Sequence, residues 1–97
     1  MYILDDLEKT RGKKYSVAVM SWTTATGKVI PLRIKYRTED DDVAESGKIE
    51  ILTQKQTLYN GIQFCFYECK ALIGESVREF RLLYFPKNYE WKLVAVV

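Results

Sequence analysis

Between Lys28 and Arg37 the chain alternates. Ile30, Leu32, Ile34 and Tyr36 fall on one side at a period of two, and Arg33, Lys35 and Arg37 fall on the other. That pattern predicts a half-buried β-strand with an apolar inner face and a cationic outer face.

The rest of the chain repeats the inner half of the pattern between turn signals. Tyr15 to Trp22 reads as a strand, with Val17 and Val19 on one face and Ala18, Met20 and Trp22 on the other. Thr23 to Gly27 turns it into the strand 28–37 as a hairpin. Further strands are expected at Lys48–Thr53, with Ile49 and Ile51 inside, at Ile62–Cys69, at Val77–Phe85 and at Tyr89–Val96. The turns between them fall at Tyr59-Asn60-Gly61, Ile73–Ser76 and Phe85–Asn88. Thr38 to Gly47 reads as an acidic loop, and Gln54 to Thr57 as a polar connection. Phe64 to Leu72 also admits a helix stopped at Gly74, although its aromatic run favours a strand. Residues 2–9 carry an Ile3, Leu4 and Leu7 stripe that would suit a short helix, packed onto the rest because it is too short to stand alone.

The expected fold is therefore all-β: a small antiparallel barrel or rolled sheet of about six strands, similar in size to an SH3 domain. A short N-terminal helix is the one helical element it leaves room for. A chain of 97 residues is read as one domain, residues 1–97, with thirteen aromatics to fill a modest core. Closure into a barrel would hide the edges of such apolar strands.

Several function classes are disfavoured at once. The chain has no histidine, which removes the commonest general base and most zinc sites. Cys65 and Cys69 on one strand would sit about 13 Å apart, beyond disulfide reach, so free thiols are expected. Neither has an evident cation beside it to make a thiolate. Glu39, Asp40, Asp41, Asp42 and Glu45 lack the alternation and mid-loop glycine of a calcium loop and read as a solvated acidic turn. The five glycines are scattered and form no phosphate loop. The expectation is a protein that is not an enzyme and has no cofactor or metal. No apolar run is long enough for a membrane helix, and the first residues lack a secretion-signal pattern, so the expected location is cytoplasmic.

The net charge of +2 is too small to argue for nucleic acid, but its distribution is uneven. Residues 1–37 hold eight Lys or Arg against three Asp or Glu, whereas residues 38–50 hold one against six. Two binding readings follow. In the first, the chain is a binding or accessory module for a protein partner or a second copy of itself, using outward apolar residues. Leu52 and Val94, on the polar side of their expected strands, are the candidates. In the second it binds single-stranded nucleic acid, with Arg33, Lys35 and Arg37 as the cationic face. Tyr15, Tyr67 and Tyr89 would then be stacking rings wherever they face outward.

Four segments also carry a resemblance: Gly27-Lys28-Val29-Ile30-Pro31-Leu32, Gly61-Ile62-Gln63-Phe64-Cys65-Phe66-Tyr67, Leu82-Leu83-Tyr84-Phe85 and Trp91. In this order, over residues 15–95, the chain resembles a group of short Firmicutes small-barrel proteins. It differs from them in its longer acidic loop at 39–42 and its extra N-terminal segment. The resemblance implies a bacterial, cytoplasmic barrel and implies no activity or ligand.

Overall fold

The structure, a computed structural model, describes residues 14–38 and 40–95. The helix read over residues 2–9 lies outside them. The described chain is all-β: β1 (Lys14–Ser16), β2 (Ala18–Thr23), β3 (Val29–Arg37), β4 (Val43–Glu45), β5 (Glu50–Tyr59), β6 (Ile62–Ile73), β7 (Ser76–Phe85) and β8 (Glu90–Ala95). A five-stranded sheet runs β1-β8-β7-β6-β5 and a three-stranded sheet runs β2-β3-β4, with every pairing antiparallel.

The eight strands are six longer ones, two of which change sheet. β1 pairs with β8, and one residue later β2 pairs with β3, so the first long strand crosses over at Val17. The second crossing is at residues 46–49. There the Ser46 amide donates to the Ile34 carbonyl (2.9 Å) and the Ile49 amide to the Leu32 carbonyl (2.8 Å), while the Gly47 amide donates to the Leu72 carbonyl of β6 (2.8 Å). Ser46 is almost wholly buried at this corner. Its hydroxyl accepts the Ile34 amide at 3.0 Å and donates to the Gly47 carbonyl at 2.8 Å, so the backbone bends with its polar groups paired. Gly47 leaves little room for a side chain, since a Cβ there would lie 3.2 Å from the Cβ of Leu72, closer than an ordinary contact. Hydrogen bonding thus passes from sheet to sheet at both corners, which makes the meander a rolled barrel.

The tight turns have simple causes. Asn60 and Gly61 both take positive φ (51° and 77°), as a two-residue hairpin loop of that hand demands. β6 continues through Ile73, so the stretch 64–72 is strand throughout and the helical alternative falls away. Two other expectations are corrected. The acidic loop contains β4, which pairs Val43–Glu45 with Lys35–Arg37 of β3. The polar stretch 54–57 is the middle of β5, paired with β6.

Both bulges shift side chains between faces. On β3, Met20 faces Arg33 and Ser21 faces Pro31, leaving Leu32 as an extra residue. Pro31 has no amide to give to the ladder, which favours a bulge here. Ile34 is fully buried and Tyr36 packs against the core, as read, but Pro31 takes the buried place expected of its neighbours. Ile30 instead sits across from Trp22. On β5 the same break makes Leu52 the extra residue between Ile51 and Thr53.

The main core lies between the sheets: Ile34, Ile49, Tyr67, Cys69, Ala71, Phe80 and Leu82, with Val17, Val19 and Trp91 among the residues packed against them. Trp91 lies 4.7 Å from the Tyr84 ring and 5.7 Å from the Tyr67 ring, centroid to centroid. Burying a leucine such as Leu82 contributes about 1.5–3 kcal/mol. A second buried cluster, Phe64, Phe66, Leu83 and Val94, occupies the opposite face of the five-stranded sheet, because these residues alternate with the first set along their strands.

Candidate binding surface

Val19 of β2 and Val17 just before it pack against the core, so Ala18, Met20 and Trp22 must point away from it. Across the ladder their partners are Lys35, Arg33 and Ile30. On the other side of β3, Lys35 faces Glu45 and Arg37 faces Val43. The outer face of the three-stranded sheet is therefore a mixed surface of Trp22, Met20, Val43 and three cations. Trp22 is 62% exposed and Met20 44%.

The sequence-derived cations Arg33, Lys35 and Arg37 thus share one exposed face, as the period of two requires. Two of them are already engaged. The Arg33 guanidinium donates to the Ser46 carbonyl at 3.2 Å. Arg37 pairs with Asp41, its guanidinium 3.0 Å from the carboxylate, within the turn that closes β3 onto β4. That turn is tied by Thr38, whose amide donates to the Asp42 carbonyl (2.8 Å) and whose carbonyl accepts the Asp41 amide (3.0 Å).

The two expected interface residues part company. Leu52 is exposed, as the bulge residue of β5. Val94 is corrected: it is 0% exposed and belongs to the second cluster. The period of two along β8 implies one apolar face, and the second cluster gives the sheet two. Of the expected stacking rings, Tyr15 and Tyr89 face outward, whereas Tyr67 is buried and donates its hydroxyl to the Val29 carbonyl at 2.5 Å. Trp22 was the residue to single out. It stands on the same alternation as Met20, opposite the two core valines.

Clefts among the described residues include one near each end of β3. One, about 700 Å³, lies between Tyr36 of β3 and Ile73, Arg78 and Glu79 at the β6–β7 end. The other, about 620 Å³, lies beneath the β2–β3 turn. Cys65 and Cys69 are both free thiols. Burial pushes the Cys69 thiol up to about 12, with the neighbouring Glu68 charge adding to the shift, and burial raises the Cys65 thiol as well. Both stay protonated at neutral pH and are weak nucleophiles in that form. Among the described residues no three Cys, Asp or Glu side chains gather to hold a metal, and no helix is long and apolar enough to cross a membrane. Comparison of the chain with family models, curated proteins and solved structures returns no match.

Proposed function

We propose that this chain is a non-enzymatic binding module that takes a protein partner on the outer face of its three-stranded sheet. One observation carries the reading: Trp22, 62% exposed, stands beside Met20, which in turn faces Arg33 across the ladder. Trp, Met and Arg are among the side chains that protein interfaces favour, and Trp is enriched among the residues that anchor them energetically. β2 and β3 hold these groups on a paired ladder, so little ordering is left for binding to require.

A second reading uses the same face for single-stranded nucleic acid, with Trp22 as the stacking ring beside Arg33, Lys35 and Arg37. The charge ledger favours the protein. Arg37 pairs with Asp41, and Glu45 stands across the ladder from Lys35, so carboxylates share this face with its cations. Affinity for nucleic acid rises with each phosphate neutralised, and carboxylates beside these cations oppose the approach of phosphates.

The test is a pull-down from cells of the source organism with and without nuclease. A defined protein that survives nuclease supports the first reading. Recovery of nucleic acid alone, with binding that falls steeply with salt and is abolished by Arg33→Glu with Lys35→Glu, supports the second.

A further inference from the structure

The chain from Phe85 to Glu90 closes the β7–β8 hairpin with a turn, in which the Asn88 amide donates to the Phe85 carbonyl at 3.1 Å. Tyr89 follows it in the left-handed conformation, at φ 53°. That place in a hairpin belongs to glycine or asparagine, because a bulky side chain there is strained. Asp41 and Asn60, the other non-glycine residues of positive φ among the described residues, are of types that tolerate it. Tyrosine is not, and burial does not offset the strain, since Tyr89 is 84% exposed. An exposed ring held in a strained backbone points to a use outside the fold.

Tyr89 lines the 620 Å³ cleft at this end of the barrel. Lys28 of the β2–β3 turn, Gln54 and Gln56 of β5, and Cys65 and Tyr84 line it too. The volume lies in the range of small-molecule sites, roughly 300–1,000 Å³. Among the described residues that line the cleft, Lys28 is the one that carries a charge. The side-chain amides of Gln54 and Gln56 project from the same face of β5, to judge from their pairing with Tyr67 and Cys65 of β6. An amide offers a donor and an acceptor together, the pattern that reads the edge of a base.

We propose that this cleft binds a 5′-mononucleotide, with the base against Tyr89, its edge on Gln54 and Gln56, and the phosphate on Lys28. A flat ring, a hydrogen-bonding edge and one anionic group are what these four residues together complement. The site uses none of the residues of the outer face of the three-stranded sheet and stands or falls independently of the partner reading.

The experiment is calorimetric titration of the full chain, at low salt, with AMP, UMP, adenosine and inorganic phosphate. AMP and UMP are expected to bind saturably, and AMP about tenfold or more tighter than adenosine or phosphate alone. Tyr89→Gly is expected to weaken AMP by about tenfold or more, the scale of one base–aromatic stack. Its melting temperature should equal or exceed that of the unaltered chain, because glycine relieves the left-handed strain. Lys28→Gln is expected to bring AMP down to the affinity of adenosine. Absence of saturable binding of AMP and UMP at millimolar concentration overturns the proposal. So does undiminished AMP binding by Tyr89→Gly, or adenosine binding as tightly as AMP.

Discussion

Met20 lies across the β2–β3 ladder from Arg33, whereas its neighbour Ser21 lies across from Pro31, so Leu32 has no partner on β2. This slip sets which residues of β3 reach the core and which share the outer face with Trp22. Before it, Arg33 and Lys35 alternate with Ile34 and Tyr36. Beyond it, Ile30 turns outward to face Trp22.

The slip makes a contrast between two leucines. Leu82 is fully buried between the sheets and Leu32 is only half-buried at the bulge. Leu82→Ala is expected to cost about 2–5 kcal/mol in urea unfolding and Leu32→Ala less than about 1.5. Equal losses would restore the unbroken alternation of residues 30–36.

Ser46 links β3 to the corner through two hydrogen bonds from a buried position. Ser46→Ala leaves the Ile34 amide without its acceptor and is expected to cost about 1–3 kcal/mol. Ser46→Thr retains the hydroxyl but adds a methyl to a buried site, so it is expected to recover only part of that loss.

Much of this architecture is legible in the sequence, and the misses have physical reasons. The strands and their turns follow from period-two apolar residues and from Gly27, Asn60-Gly61 and Gly74. β4 is hidden because three residues, Val43 to Glu45, sit among carboxylates and gain strand structure only by pairing with β3. β5 runs through Thr53-Gln54-Lys55-Gln56 because it lies at the edge of its sheet, where polar side chains meet water on both faces. The buried place of Val94 has no sequence signature, since it depends on a second apolar face formed by Phe64, Phe66 and Leu83 from other strands. At the candidate surface, the cations are evident from spacing. That two are engaged by Ser46 and Asp41 depends on corners and turns the alternation does not specify.

The two tryptophans occupy opposite settings, Trp91 against Tyr67 and Tyr84 and Trp22 in solvent. Trp91→Phe, which leaves Trp22 alone, is expected to show red-shifted emission and strong acrylamide quenching. Trp22→Phe is expected to show the reverse. Similar quenching in both variants would contradict an outward Trp22.

Stability should fall at high pH. The Cys69 thiol ordinarily ionises near 9.0 and rises to about 12 in the fold, chiefly by burial, and the Cys65 thiol and Tyr67 hydroxyl are raised too. The folded state therefore holds these protons more tightly than the unfolded chain, and the unfolding free energy declines as pH rises. For Cys69 the contribution is complete below about pH 9 and lost between there and about pH 12. Urea unfolding at pH 7, 9 and 10 should show this decline, and Cys69→Ala should make it shallower. A stability that rises over this range would contradict the buried thiol.

The outer face of the three-stranded sheet as a protein-binding surface is tested most directly by nuclease-treated pull-downs compared across variants. The unaltered chain, Trp22→Ala, and Leu58→Ala, an exposed leucine on the other sheet, would be run side by side and the retained protein quantified by mass spectrometry. One defined partner is expected, retained by the unaltered chain and by Leu58→Ala. Trp22→Ala should lose it by about 30-fold or more, the scale of a binding hot spot. Retention of that partner by Trp22→Ala at the level of the unaltered chain would contradict it.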